Sequence, residues 1–419
     1  MSESFVIIGD GIAGSSAAET LREEAPDADI TVLTDEGEPL YNRILIKEFA
    51  KGKLPEAPVS IHDEEWYDER DVDLELNTYV TAVDEDAHEV HTHQGDTYGY
   101  DKLLVATGGT PASLASFGVD NADADGVHHF WTFEDARRIR EHAERADKGV
   151  VVGAGLLGID FAAVCGAQGI DAKYLMRGNR WWRYALSLEG AEIIHRGLRE
   201  LGVEPVFESG VDAFEVDDDG HVEAAVDPDG NRYECDWAGV AIGLNFNVEF
   251  LEETSLAADS GGIDVDEYMR TDVDDIYAAG DITRFVDDIL GERTQNGSWG
   301  SAKEQGQVAA RTMIADASGG EPEPFRWVSS YSITHLEVPF LSFGHPTKGE
   351  EYVERKYSDH EWRRVALKDG RVVGGVLIGD LSPQRTLKEC IREQRVVGDQ
   401  TDVLLAEDID LDELAPAEQ

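Results

Sequence analysis

The first residues able to do chemistry stand in a glycine turn. Gly9-Asp10-Gly11-Ile12-Ala13-Gly14 follows the apolar run Phe5–Ile8 and opens an Ala-rich stretch that reaches Leu21. The run has no polar alternation, as expected of a strand buried on both faces of a parallel sheet. In that setting Gly9 permits a tight turn, Gly11 lets the backbone approach a pyrophosphate, and Gly14 lets the helix pack closely on the strand. The N–H groups at the helix start then face the phosphates. A glycine-rich turn in some other βα unit shares part of this pattern; the strand before it and the helix after it favour a dinucleotide site. The arrangement recurs in Gly149–Ala163, where strand, Gly153-x-Gly155-x-x-Gly158 and helix follow one another, with Leu156 and Leu157 inside the turn. Two dinucleotide folds in one chain suggest two nucleotides and electron transfer between them.

Other candidates fall into place around these turns. Asp29–Thr34 reads as a second buried strand ending at Asp35 and Glu36, either of which is placed to hold a ribose hydroxyl. Glu38–Lys53 carries Arg43, Lys47, Lys51 and Lys53, a local basic excess that suggests a nearby anion; ordinary surface pairing, worth about 0–1 kcal/mol per pair, is the alternative. Tyr100–Pro111 returns as a buried strand ending in Thr107-Gly108-Gly109, and Trp237–Gly243 closes the second fold as the first closed at Gly108. Asp274–Thr283 is a further short strand ending in Gly280-Asp281; Asp281 could equally be a helix cap. Gln295–Ala315 reads as a helix with Trp299 near its start, suited to stacking on an aromatic ring or to a core position. Cys165, Cys235 and Cys390 are far apart, with no CxxC and no Cys/His cluster, so neither a disulfide framework nor a metal site follows. Cys165 reads as buried, and His335, with no partner visible nearby, as structural.

The elements that position these residues form an α/β chain too long for one core. Short antiparallel excursions are expected at Tyr79–Val83 with Glu89–Thr92 and at Val211–Tyr233. After the Pro-rich Gly319–Pro324, strands at Tyr352–Arg355, Trp362–Leu367 and Arg371–Ile378 and a helix at Gln384–Val396 make an α+β domain.

Together Gly9–Gly14, Ala106-Thr107-Gly108, Gly153–Gly158, Ala278–Asp281 and the β-rich C-terminus resemble the pyridine-nucleotide–disulfide oxidoreductase superfamily over nearly the whole chain. Tyr41-Asn42-Arg43 with Lys47, and Trp299 with Gln305-Gly306, are similar to its ferredoxin/rubredoxin reductase and nitrite-reductase large-subunit branch. That resemblance implies two Rossmann-like, glutathione-reductase-type domains and an interface domain: FAD in residues 1–112 and 245–323, NADP or NAD in 113–244, and the interface domain in 324–419. It implies FAD contacts from Gly9, Gly11, Ile12, Ala13, Gly14, Asp35 or Glu36, Arg43, Lys47, Val80, Ala106, Thr107, Gly108, Gly280, Asp281 and Trp299, with Lys47 and Trp299 the candidates beside the reacting ring. The nicotinamide nucleotide falls to Gly153, Gly155, Leu156, Leu157, Gly158, Arg177, Ile242 and Gly243. Four departures stand out. Asn42 replaces the redox cysteine, Asp10 puts a carboxyl inside a phosphate turn, Phe246 replaces a proline, and Arg177, Arg180 and Arg183 stand where an acid would follow the second nucleotide strand.

The expected function is transfer of electrons from NAD(P)H through FAD to an external acceptor, a ferredoxin- or rubredoxin-like protein, oxygen or another small molecule. An NAD(P)H-sensing flavoprotein without turnover is the competing class. The first strand begins almost at once, leaving no room for a signal peptide, and no apolar run approaches membrane-spanning length, so a cytoplasmic protein, with a homodimer among its expected states, follows. With 87 Asp plus Glu against 36 Lys plus Arg, the formal charge is -51, which repels nucleic acid and anionic membranes. Acid spread along the whole chain points to a halophilic source rather than an ordinary acidic protein, because at ~1 M salt screening reaches ~3 Å. The thermal unfolding midpoint should therefore rise steeply from low to molar KCl; a flat profile would contradict the halophilic reading.

Overall fold

The computed structural model describes residues 2–256, 258–259 and 261–414; the last five residues of the acidic tail lie outside it. The chain divides into two compact units, Met1–Asn42 with Glu56–Thr110 and Leu244–Trp327, and Arg43–Pro55 with Pro111–Gly243 and Val328–Gln419. Among the described residues no helix is long and apolar enough to cross a membrane.

In the first unit a five-stranded parallel sheet runs in the order Ile276–Ala278, Lys102–Val105, Ser4–Ile8, Asp29–Leu33, Val72–Glu75. Ser4–Ile8 is central, pairing Phe5 with Ile30 on one side and Lys102 on the other, and Ile7, Val32, Leu104 and Val105 are fully buried. Burial on both faces is why these strands carry unbroken apolar runs. A three-stranded antiparallel excursion, Val80–Asp84, Glu89–Thr92 and Thr97–Gly99, follows.

The second unit repeats the plan with Lys148–Val152 at the centre, flanked by Asp171–Met176 and Trp237–Val240, and carries its own excursion of Ala213–Val216, Val222–Val226 and Arg232–Glu234. The same unit holds a five-stranded antiparallel sheet in the order Ser330–Ile333, Phe340–Gly344, Arg371–Ile378, Glu361–Lys368, Glu351–Ser358. Asp369 and Gly370, both at positive φ, form the turn expected between two of these strands.

Two helices depart from the periodicity reading at their ends. The first begins at Trp299 rather than Gln295, because Arg293-Thr294 pairs as a strand with Phe285-Val286, and it runs on to Ser318. The second ends at Arg392, since Gln394 adopts positive φ and Val396 bridges to Arg371.

The helix Ile12–Glu24 offers a face of small residues, Ala13, Gly14, Ala17 and Ala18, all buried. Against it lies the helix Trp299–Ser318, close enough that a methyl group at Gly306 would overlap the Ala13 carbonyl oxygen. Backbone cannot yield there as a flexible side chain would. Gly306→Ala is expected to cost about 1–3 kcal/mol through forced separation of the two helices, seen as a lowered midpoint in thermal or urea unfolding.

Candidate functional site

At the first turn, Gly9 has φ +106° and a Cβ there would overlap the Ala106 carbonyl oxygen; a Cβ at Gly14 would overlap the Gly9 carbonyl oxygen. Both positions admit glycine alone. Gly11 differs, since a Cβ there meets nothing within 4 Å, so the turn presents bare backbone outward. Gly11 is also the N-cap of Ile12–Glu24 and supplies no side-chain cap, which leaves first-turn N–H groups for a ligand. Gly108 likewise has positive φ and nothing within 4 Å of an added Cβ. The Gly9 N–H donates to Leu33 O at 2.7 Å, fixing the end of Asp29–Leu33 beside the turn. Beyond it Asp35 is exposed and Glu36 half-buried, with Tyr41 Oη donating to Glu36 Oε2 at 2.5 Å. Val80 is buried at the start of its strand.

Gly280-Asp281 is held by Gln305, whose buried Oε1 accepts from the Gly280 N–H and from Thr283 Oγ1, each at 2.8 Å. A Cβ at Gly280 would lie 3.2 Å from that of Ala13, so this turn and the first are packed together. Asp281 lies near Gly297, just before the start of the helix Trp299–Ser318, and Trp299 is half-buried there. The N-cap Ser298 makes no capping bond, and its Oγ is buried without a partner among the described residues. An orphaned hydroxyl, an uncapped helix start and the bare Gly11 backbone fit a polar, anionic dinucleotide in this unit.

The second turn has the same construction. A Cβ at Gly153, φ +107°, would overlap the Ala241 carbonyl oxygen, and one at Gly158 would overlap the Tyr174 hydroxyl, while Gly155 faces nothing within 4 Å. Leu156 and Leu157 begin the helix Leu156–Gln168, and Ile242 leads into Gly243, whose φ is +122°.

The loop after Asp171–Met176 is tied to this turn. Trp181 Nε1 donates to Gly155 O and the Trp182 N–H to Ala154 O, both at 3.2 Å, with Trp182 held at φ +45°. That value is rare for a bulky residue. Arg180 braces the loop through Leu186 O, Arg183 O and Asn179 Oδ1, and Arg183 donates to Tyr184 Oη. Arg177 is exposed. None of these three arginines forms an ion pair among the described residues, although the chain carries 87 acids.

Lys47 and Arg43 lie in the second unit. Arg43 Nη1 donates to Trp131 O at 2.7 Å. Lys47 Nζ sits 2.6 Å from Asp160 Oδ2 and donates to Tyr331 Oη at 3.2 Å, and His335 Nε2 lies 2.9 Å from Asp160 Oδ1. His335 Nδ1 is 3.0 Å from Lys51 Nζ, which pairs with Glu48. His335 is thus not the isolated side chain that its sequence surroundings implied. Burial acts to raise the Asp160 carboxyl, but the Lys47 ammonium and the His335 bond outweigh it and hold the group below the usual carboxylate range. Lys47, half-buried and facing Asp160, is held above its ordinary value. Asp160 was missed from sequence, though a lone acid in the apolar run Leu156–Gln168 was its signal.

All three cysteines are free and buried, and burial pushes the Cys235 thiol up to about 12 and that of Cys390 up to about 11. None is a thiolate nucleophile at neutral pH. Among the described residues no group of three or more His, Cys, Asp or Glu is placed to hold a metal.

Two parallel-sheet folds, each with a phosphate-type glycine turn, followed by an antiparallel C-terminal sheet, define the two-dinucleotide-domain class of protein. The chain belongs to the pyridine nucleotide-disulphide oxidoreductase family, whose model matches residues 3–306, and residues 333–395 match the rubredoxin NAD+ reductase C-terminal domain. It is 28% identical over 400 residues to nitrite reductase [NAD(P)H] of Bacillus subtilis, covering 93% of this chain and 47% of that protein. It is 30% identical over 344 residues to the ferredoxin–NAD(+) reductase component of the anthranilate 1,2-dioxygenase system of Burkholderia cepacia, covering 82% of this chain and 83% of that one. The chain spans about half the length of the first of the curated relatives it matches. In fold it superposes on the reductase of a covalent putidaredoxin reductase–putidaredoxin complex with TM-score 0.89 at 24% identity, over 98% of this chain and 97% of the other.

Removing the buried Asp160 charge strands the half-buried Lys47 ammonium. Asp160→Asn is expected to destabilise the protein by about 3–5 kcal/mol, read from urea unfolding at pH 7, whereas an exposed pair such as Arg145–Glu141 should give under about 1 kcal/mol. The Asp160 contribution is present above the ordinary carboxylate pKa and is lost as pH falls through its depressed value, so the gap between wild type and variant should close in acid.

Proposed function

We propose that the chain is an FAD-dependent oxidoreductase that passes electrons from NAD(P)H through FAD to an external acceptor. The observation that carries this is the pair of glycine turns, each built from two positions that exclude any side chain and one that presents bare backbone outward. FAD when bound accepts hydride from the nicotinamide and releases electrons onward. The chain supplies binding and orientation. Residues 1–112 and 245–323 hold FAD, through Gly9–Gly14, Ala106–Gly108, Asp281 and one of Asp35 and Glu36. Residues 113–244 hold the nicotinamide nucleotide through Gly153–Gly158, Ile242 and Gly243, and residues 324–419 are the interface domain. Gln305 positions Asp281 by locking the Gly280 turn to the helix behind it.

Electrons leave without a thiol step, since Asn42 occupies the cysteine position and the three cysteines present are buried. A small electron-transfer protein is the favoured acceptor, supported by the match to a rubredoxin reductase C-terminal domain and by relatives described as ferredoxin reductase components. Two acidic proteins dock best where salt screens their repulsion, which accords with a cytoplasm rich in salt. NADPH is the nucleotide favoured by Arg177, an exposed cation at the end of the second nucleotide strand.

Anaerobic mixing of the yellow protein with NADPH or NADH at molar KCl tests the reading. Rapid bleaching of the visible flavin band and turnover on an artificial acceptor are expected, with NADPH at least as effective as NADH. Arg177→Glu should lower the NADPH specificity constant about tenfold or more and leave NADH nearly unchanged. Slow bleaching without turnover would favour a nucleotide sensor, and a colourless protein that cannot be reconstituted with FAD would overturn the assignment.

A further inference from the structure

Asp10 has no part in the function so far described, yet it stands between the two glycines of the first turn. Its side chain is only 7% exposed. Tyr67 Oη donates to Asp10 Oδ1 at 2.7 Å, and Ser15 Oγ lies 3.2 Å from the same hydroxyl. Oδ2 is buried with no partner among the described residues, and Asp10 forms no ion pair there. The charged group that acts on it is Glu36, another acid. His62, the next titratable ring, packs edge-on against Tyr67 and is lowered to about 4 by burial and by Arg70, so it carries no charge at neutral pH. Tyr67 itself is held above its ordinary value by burial and by Asp10. An ionised carboxyl here would be a buried anion facing an acid and lacking any cation, in the turn that receives an anionic cofactor. As the neutral acid, its unmatched oxygen becomes a donor instead.

We infer that Asp10 is a proton-linked binding residue: FAD is held with Asp10 as the neutral acid, and ionisation of this carboxyl weakens its hold on the cofactor. This rests on the first turn being the FAD site. Burial raises the Asp10 carboxyl to about 7, with the Tyr67 hydroxyl and the Leu40 backbone amide pulling the other way. A bound pyrophosphate disfavours the carboxylate further, so binding takes up a proton whenever the free site has lost one. Affinity is then full below that value and declines as pH rises through it. The switch falls inside the working range of an ordinary enzyme, where an unperturbed aspartate has none.

The experiment is FAD release from the holoprotein, followed by flavin fluorescence on dilution at constant molar KCl, from about pH 6 to about pH 8.5. The wild-type dissociation constant should be level at the acid end and rise about tenfold or more by the alkaline end, tenfold being the limit per pH unit for one proton. Asp10→Asn, which keeps shape and cannot ionise, should show a level profile. Tyr67→Phe removes the donor that favours the carboxylate, so its break should move to higher pH, a displacement that loss of packing alone does not produce. A level wild-type profile, or the same rise persisting in Asp10→Asn, would overturn the inference while leaving FAD binding intact. Absence of FAD binding in wild type and Asp10→Asn at every pH would instead overturn the assignment of the site, and the inference with it.

Discussion

Backbone meeting backbone is the constraint from which the rest of this structure follows. At Gly9 and at Gly153 a side chain is excluded by a carbonyl oxygen on the neighbouring returning strand, Ala106 in one fold and Ala241 in the other. The strand must therefore end level with the turn, and the helix must start directly over it. Gly14 repeats the exclusion against the Gly9 carbonyl oxygen, and Gly306 against that of Ala13, so that the helices Ile12–Glu24 and Trp299–Ser318 approach at main-chain distance. This closeness brings Gly280-Asp281 up to the first turn, with Gln305 as the bolt. Fully apolar strands pay for the desolvated backbone between them with sheet hydrogen bonds, and the few polar groups left over are those a ligand can use.

Asp10 and Asp160 show how position decides the state of one residue type. Both are nearly inaccessible to water. Asp160 meets Lys47 and His335 and stays ionised, while Asp10 meets a tyrosine hydroxyl and another acid and is driven toward the neutral form. Neither outcome follows from burial alone. In a chain of net charge -51, a half-buried cation against a buried aspartate is a local provision set against the general field.

Much of this was readable in one dimension because the turns are local. Strand, glycines and helix fall within about twenty consecutive residues, so the spacing alone marks the turns, while the oxygens that exclude a side chain at Gly9 and Gly153 come from Ala106 and Ala241, far along the chain. The repeat of the pattern, the antiparallel excursions and three of the five C-terminal strands were legible for the same reason, whereas Ser330–Ile333 and Phe340–Gly344, in the same sheet, were not read. What was not legible depends on distance along the chain. His335 looked solitary because Asp160 is 175 residues away, and Asp10 looked misplaced because Tyr67, which receives it, is 57 residues on. The helix start at Trp299 was missed by four residues, since the pairing of Arg293-Thr294 with Phe285-Val286 overrides local periodicity.

The loop behind the second turn divides its labour unequally among three arginines. Arg180 braces the loop and Arg183 is engaged with Tyr184, while the Trp181-Trp182 pair clamps the loop to the glycines. Arg177 supports none of this. A change of residue at that position would therefore leave the clamp, the glycine turn and the brace of the loop standing.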